Sequence, residues 1–232
     1  MKYAALALLL AVPAAAQNRA AEIDFENAVQ DAKLAESAQR AAAVERAMIA
    51  MNDGPEAGGK VVEFVRSHNI EVIMKSQTEA SKTVVANGRT SIVLSSSLPL
   101  YPRVLAPLIA KEAAALMLAD MPLCAERSYM RRAIAGRVWT ELGGEPSKLP
   151  VVEPLTGDKV SAVSDEITPW TDKGGAEMAL YRIGEAETLP ALPDLIDVAK
   201  DAASKAKYEA ANARFVAFLI DEKLARQSAG LR

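Results

Sequence analysis

Between Val104 and Ala119 every residue is apolar or proline except Lys111 and Glu112. A helix that is apolar nearly all round is a buried one, and Ala, Leu and Met favour helix. The pattern therefore predicts a core helix within Tyr101–Asp120, with Pro107 either starting its regular part or kinking it. Lys111 and Glu112 conflict with that setting, because a buried charge is costly without a partner. At helical neighbour spacings Glu112 meets Leu108 and Leu116, and Lys111 meets Pro107 and Ala115. Their partners must come from another element, unless the pair lines a cleft or reaches solvent from the edge of a core helix.

The pattern on either side is mixed. Residues 20–51 place Ile23, Phe25, Val29, Leu34, Ala41, Val44, Met48 and Met51 on a rough helical stripe. This reads as one or two amphipathic helices, laid on the core or offered to a partner, and stopped at Asn52-Asp53-Gly54-Pro55. A short helix is expected over Gly59–His68, then a strand over Ile70–Met74. Thr83–Ala86 and Thr90–Leu94 are β-rich runs joined by Asn87-Gly88, the preferred two-residue hairpin turn. A small sheet of at least three strands follows from these segments. After the central helix comes a helix over Ala125–Leu142, stopped by Gly143-Gly144.

Glu145–Pro193 is proline-rich and reads as irregular, with Val160–Val163 and Ala176–Ile183 as short apolar pieces. Pro193–Leu231 reads as one long helix whose buried face draws on Leu195, Val198, Ala202, Tyr208, Ala211, Phe215, Phe218, Leu219 and Leu224. The fold class expected is α+β, predominantly helical with a small mixed or antiparallel sheet and long N- and C-terminal helices.

Composition narrows the function. The first residues carry Lys2, an apolar segment from Ala4 to Val12, and small residues at Ala14 and Ala16. That is the layout of a secretory signal peptide over 1–16, too short to span a bilayer. Export to the periplasm or the extracellular space is therefore expected, with no transmembrane span after cleavage. Half of the residues are hydrophobic, so the chain folds. The net charge of -3, with no basic block, argues against nucleic acid as a partner. Cys124 is the only cysteine, so stability comes from packing and not from an internal disulfide.

Most familiar chemistry lacks its residues. His68 is the only histidine, and with Cys124 it makes no zinc spacing. A capping or solvent-facing role suits His68, and a small buried hydrophobe suits Cys124; a Cys124–His68 catalytic pair is the alternative. Ser204-Lys205-Ala206-Lys207 matches Ser-x-x-Lys, but the motifs that accompany it in acyltransferases are missing. Arg127, Arg131 and Arg132 either cover a wet helix face or take an acidic ligand. Trp139 and Trp170 are expected to pack.

A β-rich segment, a hairpin, a short loop and an apolar helix also occur in this order around the active site of zincin metallopeptidases. There the helix carries His-Glu-x-x-His, two zinc-binding histidines with a general-base glutamate. Lys111-Glu112-Ala113-Ala114-Ala115 resembles such a helix with Lys111 and Ala115 in the histidine positions and the glutamate kept as Glu112. The resemblance covers roughly residues 54–142. It implies a third ligand position on the next helix, where Glu126 is preferred over Glu141 and neither is required. A lysine and an alanine cannot replace two imidazoles, so the resemblance implies no metal, no cofactor and no metallopeptidase activity.

The expected organisation is a signal peptide (1–16), an N-terminal helical segment (17–53), a zincin-like α+β core (54–145), and an irregular segment with a C-terminal helix packed on the same domain (146–232). The expected function is an exported, catalytically inactive metallopeptidase-like protein with a binding or structural role and a protein or peptide partner. The alternatives are a metal-independent hydrolase using Glu112 and Lys111, and a helical envelope adaptor.

Overall fold

A computed structural model describes the backbone of residues 14–144 and 175–228, and the side chains of 29–144 and 179–224. The body of the proposed leader, Val160–Val163 and Trp170 lie outside the described residues. Helix α1 (Ala14–Asn52) is one uninterrupted helix. The chain divides into two units within it, residues 1–42 and residues 43–232. In the first unit Leu34 is exposed and Arg40 pairs with Glu36 one turn away. The second begins where α1 becomes buried, at Ala43, Val44, Ala47 and Met51.

Helix α2 (Ala57–Ser67) buries Val61, Val62 and Val65. Its Gly58 permits a close approach to α1: a Cβ there would lie 2.4 Å from the Met51 carbonyl oxygen. Strands β1 (Glu71–Lys75), β2 (Ser81–Ala86) and β3 (Arg89–Ser95) form one three-stranded sheet in the order β1-β3-β2. Strand β2 pairs antiparallel with β3 through the turn at Asn87 and Gly88, both at positive φ (52° and 73°), as that hairpin requires. Strand β1 runs parallel to β3, so the sheet is mixed.

Helix α3 (Pro102–Met117) contains Pro107 in its interior, so regular helix begins five residues before that proline. Every residue from Val104 to Ala114 is buried. The sheet, α2 and helix α4 (Ala125–Glu141) all pack against it, so no face is left for solvent. Gly143 and Gly144 donate to the Thr140 and Trp139 carbonyls (2.9 Å each) and close α4 where the sequence places its stop.

The remainder departs from the expected irregular stretch and single terminal helix. Helix α5 (Gly175–Glu187) occupies part of the proline-rich region and includes the apolar piece Ala176–Ile183. The terminal segment is two helices, α6 (Leu192–Asp197) and α7 (Ala202–Ser228). Asp201 caps the start of the second: its carboxylate accepts from the Ser204 amide (2.8 Å) and hydroxyl (2.7 Å). Ala211 and Phe215 are buried as expected, whereas Val198 and Leu224 are exposed.

Two apolar clusters result, and α4 contributes to both. One gathers the end of α1, α2, the sheet, α3 to Ala113, and Ala135 and Val138 of α4. The other gathers Leu118, Tyr129, Met130 and Ala133 with residues of α5, α6 and α7. The fold is α+β, mostly helical with a small mixed sheet, and no helix among the described residues is long and apolar enough to cross a membrane.

Candidate functional site

In the sheet, residues directly opposite on paired strands point to the same side. Val72 and Met74 of β1, Ile92 and Leu94 of β3, and Ser81 and Thr83 of β2 are opposed in this way. Ile92 and Leu94 are fully buried in the first core, and Val72 and Met74 pack against it. The core-facing side of the sheet is thus apolar on two strands and carries two hydroxyls on the third.

Those hydroxyls meet Glu112. Ser81 Oγ donates to Oε1 at 2.9 Å and Thr83 Oγ1 donates to Oε2 at 3.0 Å. Lys111 Nζ lies 3.1 Å from Oε1. Adjacent residues diverge on a helix, so the lysine stem must bend back to bring its ammonium to the neighbouring carboxylate. Lys111 is 4% exposed and Glu112 6%, so the pair is interior and does not reach out from a helix edge. Each carboxylate oxygen has at least one donor, which is the condition for keeping such a charge in a core.

The two further carboxylates considered for a third ligand have other work. Glu126, 5% exposed, accepts the Leu192 amide with both oxygens at 3.0 Å and so anchors the start of α6. Glu141 accepts the Ala57 amide at 2.7 Å and the Gly58 amide at 2.9 Å, capping α2 from 83 residues away in sequence. Ala115 presents its carbonyl to Arg127 Nη2 at 3.1 Å. Among the described residues no group of three or more His, Cys, Asp or Glu could hold a metal ion.

The other sequence candidates resolve into structural roles. Cys124 is fully buried and caps α4, its sulfur accepting the Arg127 amide at 3.4 Å. Burial pushes its thiol up to about 11, and Glu126 adds to the rise. His68 stacks on Phe64 and bonds to its carbonyl at the exposed end of α2, far in character from the buried thiol. Arg127 holds the Met121 and Ala115 carbonyls at the end of α3, and Arg132 pairs with Glu187. Arg131 is half-buried, and its buried Nε has no hydrogen-bond partner among the described residues. Trp139 is buried, as expected of a packing residue.

Sequence reasoning missed a third buried carboxylate. Glu222 of α7 is 3% exposed and accepts from Tyr129 Oη at 2.9 Å, while the Tyr129 ring meets Phe215 edge-on. Nothing local distinguishes Glu222 from the solvated acids around it. No known protein family, characterised protein or solved structure matches the chain.

Proposed function

We propose that the chain is an exported, non-catalytic protein with a zincin-like core, in which a buried ion pair stands where a metal site would be. The order sheet, α3, α4 and the packing of α3 on the sheet support the lineage. The single observation that carries the inactivity is the enclosure of Glu112, buried with donors on both oxygens. Those donors are Lys111, Ser81 and Thr83. A general base needs a free lone pair directed at a water or a substrate proton, and this carboxylate has neither the exposure nor the position. The same burial weighs against the metal-independent hydrolase. Purified protein analysed by plasma mass spectrometry should contain no stoichiometric zinc. One tightly held equivalent, or a peptidase or esterase activity abolished by Glu112→Gln, would overturn the proposal.

The adaptor reading has one observation in its favour. Val216, Ile220 and Leu224 of α7 are about half exposed and recur every four residues, so they share one helix face. A binding role through that face is compatible with an inactive core. Capture experiments comparing the wild type with Val216→Asp/Ile220→Asp separate the two readings: a partner lost in this variant but retained in Glu112→Gln assigns binding to α7.

A further inference from the structure

At the opposite end of α3 from the Lys111–Glu112 pair lies an open pocket of about 530 Å³, lined by Ala50, Tyr101, Pro102, Arg103, Val104, Trp139 and Leu142. Its volume is in the range of small-molecule sites, roughly 300–1,000 Å³. The walls are aliphatic and aromatic, and the only charged side chain in the lining is Arg103. Arg103 is exposed, and its guanidinium lies beside Gly143, where a Cβ would be 3.3 Å from Nη2. Among the described residues no carboxylate pairs with it. The first turn of α3 adds to the positive character: Tyr101 precedes it and offers no side-chain cap to its amides. Tyr101 is itself 70% exposed at the rim.

We propose that this pocket binds a single-tailed anionic amphiphile, an aliphatic carboxylate whose chain lies against Val104, Trp139, Leu142 and Ala50 and whose head meets the Arg103 guanidinium. A nucleotide or sugar would find almost no polar groups in the walls to satisfy it. A neutral hydrocarbon would fill the cavity and leave the cation at its mouth unused. An alkyl carboxylate satisfies both parts, and Arg favours carboxylates through paired hydrogen bonds.

Trp139 reports on its own pocket once the other tryptophan is removed by Trp170→Phe, and calorimetry on the unaltered chain provides the same titration without a substitution. Decanoate, below its aggregation concentration, should change the Trp139 emission saturably with one site per chain. Decanol should bind about tenfold more weakly, and Arg103→Ala should weaken decanoate by about the same factor while leaving decanol unchanged. Ala50→Phe, which fills the pocket and keeps the charge, should weaken both ligands. Melting temperatures of both variants establish that they are folded. Equal affinity for decanoate and decanol, an unaltered decanoate affinity in Arg103→Ala, or binding that survives Ala50→Phe overturns the proposal, as does the absence of any saturable change.

Discussion

Three donors converge on Glu112, and all of them come from residues that would be unremarkable elsewhere: a neighbouring lysine and two hydroxyls on an edge strand. Removing one member of a buried ion pair typically costs about 3–5 kcal/mol, whereas replacing both with apolar groups of similar volume is often neutral. Glu112→Gln and Lys111→Met are each expected to destabilise the protein by about 3 kcal/mol in urea unfolding. The double variant should recover about 1–3 kcal/mol relative to the sum of the two. Additive losses would mean that the ammonium and the carboxylate do not depend on each other. A second prediction concerns Cys124. With the thiol raised to about 11 by burial, its thiolate is scarce at neutral pH. Alkylation of the native protein at pH 8 should be far slower than of the urea-unfolded chain; equal rates would contradict the burial.

At the level of elements, two helix starts that lack a local side-chain cap are held by distant carboxylates. Glu141 serves α2 and Glu126 serves α6. Glu141→Gln keeps an acceptor but loses its charge, and should cost about 0.5–2 kcal/mol, the range of cap removal. Gly58→Ala should cost more than a surface glycine substitution, because its Cβ would meet the Met51 carbonyl at 2.4 Å and α1 or α2 must shift. Helix α7 is tied to the end of α3 by Arg214, which donates to both Asp120 oxygens and to the Met117 carbonyl. Burial alone would raise the Asp120 carboxyl, but the Arg214 hydrogen bonds and charge carry it below its usual value. A carboxylate with a lowered folded pKa stabilises above the unfolded value, and that stability disappears as pH falls through the folded one. Both side chains are largely exposed, so the contribution is about 0–1 kcal/mol. Asp120→Asn should flatten the acid limb of a melting-temperature profile below about pH 4 and barely alter stability at pH 7.

For the whole molecule, the division within α1 sets where the chain can be shortened. Val44, Ala47 and Met51 belong to the first core, and the Met51 carbonyl is the surface against which Gly58 packs. Deletion through Ala42 is expected to leave cooperative unfolding intact. Deletion through Asn52 removes these side chains and should abolish it, at about 2–5 kcal/mol for each large buried side chain lost. Circular dichroism melts of the two fragments decide the matter. Loss of cooperativity on deletion through Ala42 would show that the core depends on residues before Ala43.

The chain dictated what depends on near neighbours. Asn87-Gly88 set the hairpin because both residues accept positive φ, Gly143-Gly144 ended α4, and the apolar run around Lys111 and Glu112 placed that helix in the core. The small sheet and the mostly helical α+β class followed from the same local rules. The helix start after Asp201 was also written locally, in Asp-x-x-Ser, yet it was hidden by the continuous alanine-rich pattern around it. Only tertiary structure decided that β1 runs parallel beside β3, that Ser81 and Thr83 face Glu112, and that Glu126, Glu141 and Glu222 are interior acceptors. The physical reason is that a carboxylate's partner is fixed by which strand or helix end arrives opposite it. That is a property of long-range packing, and spacing along the chain does not encode it.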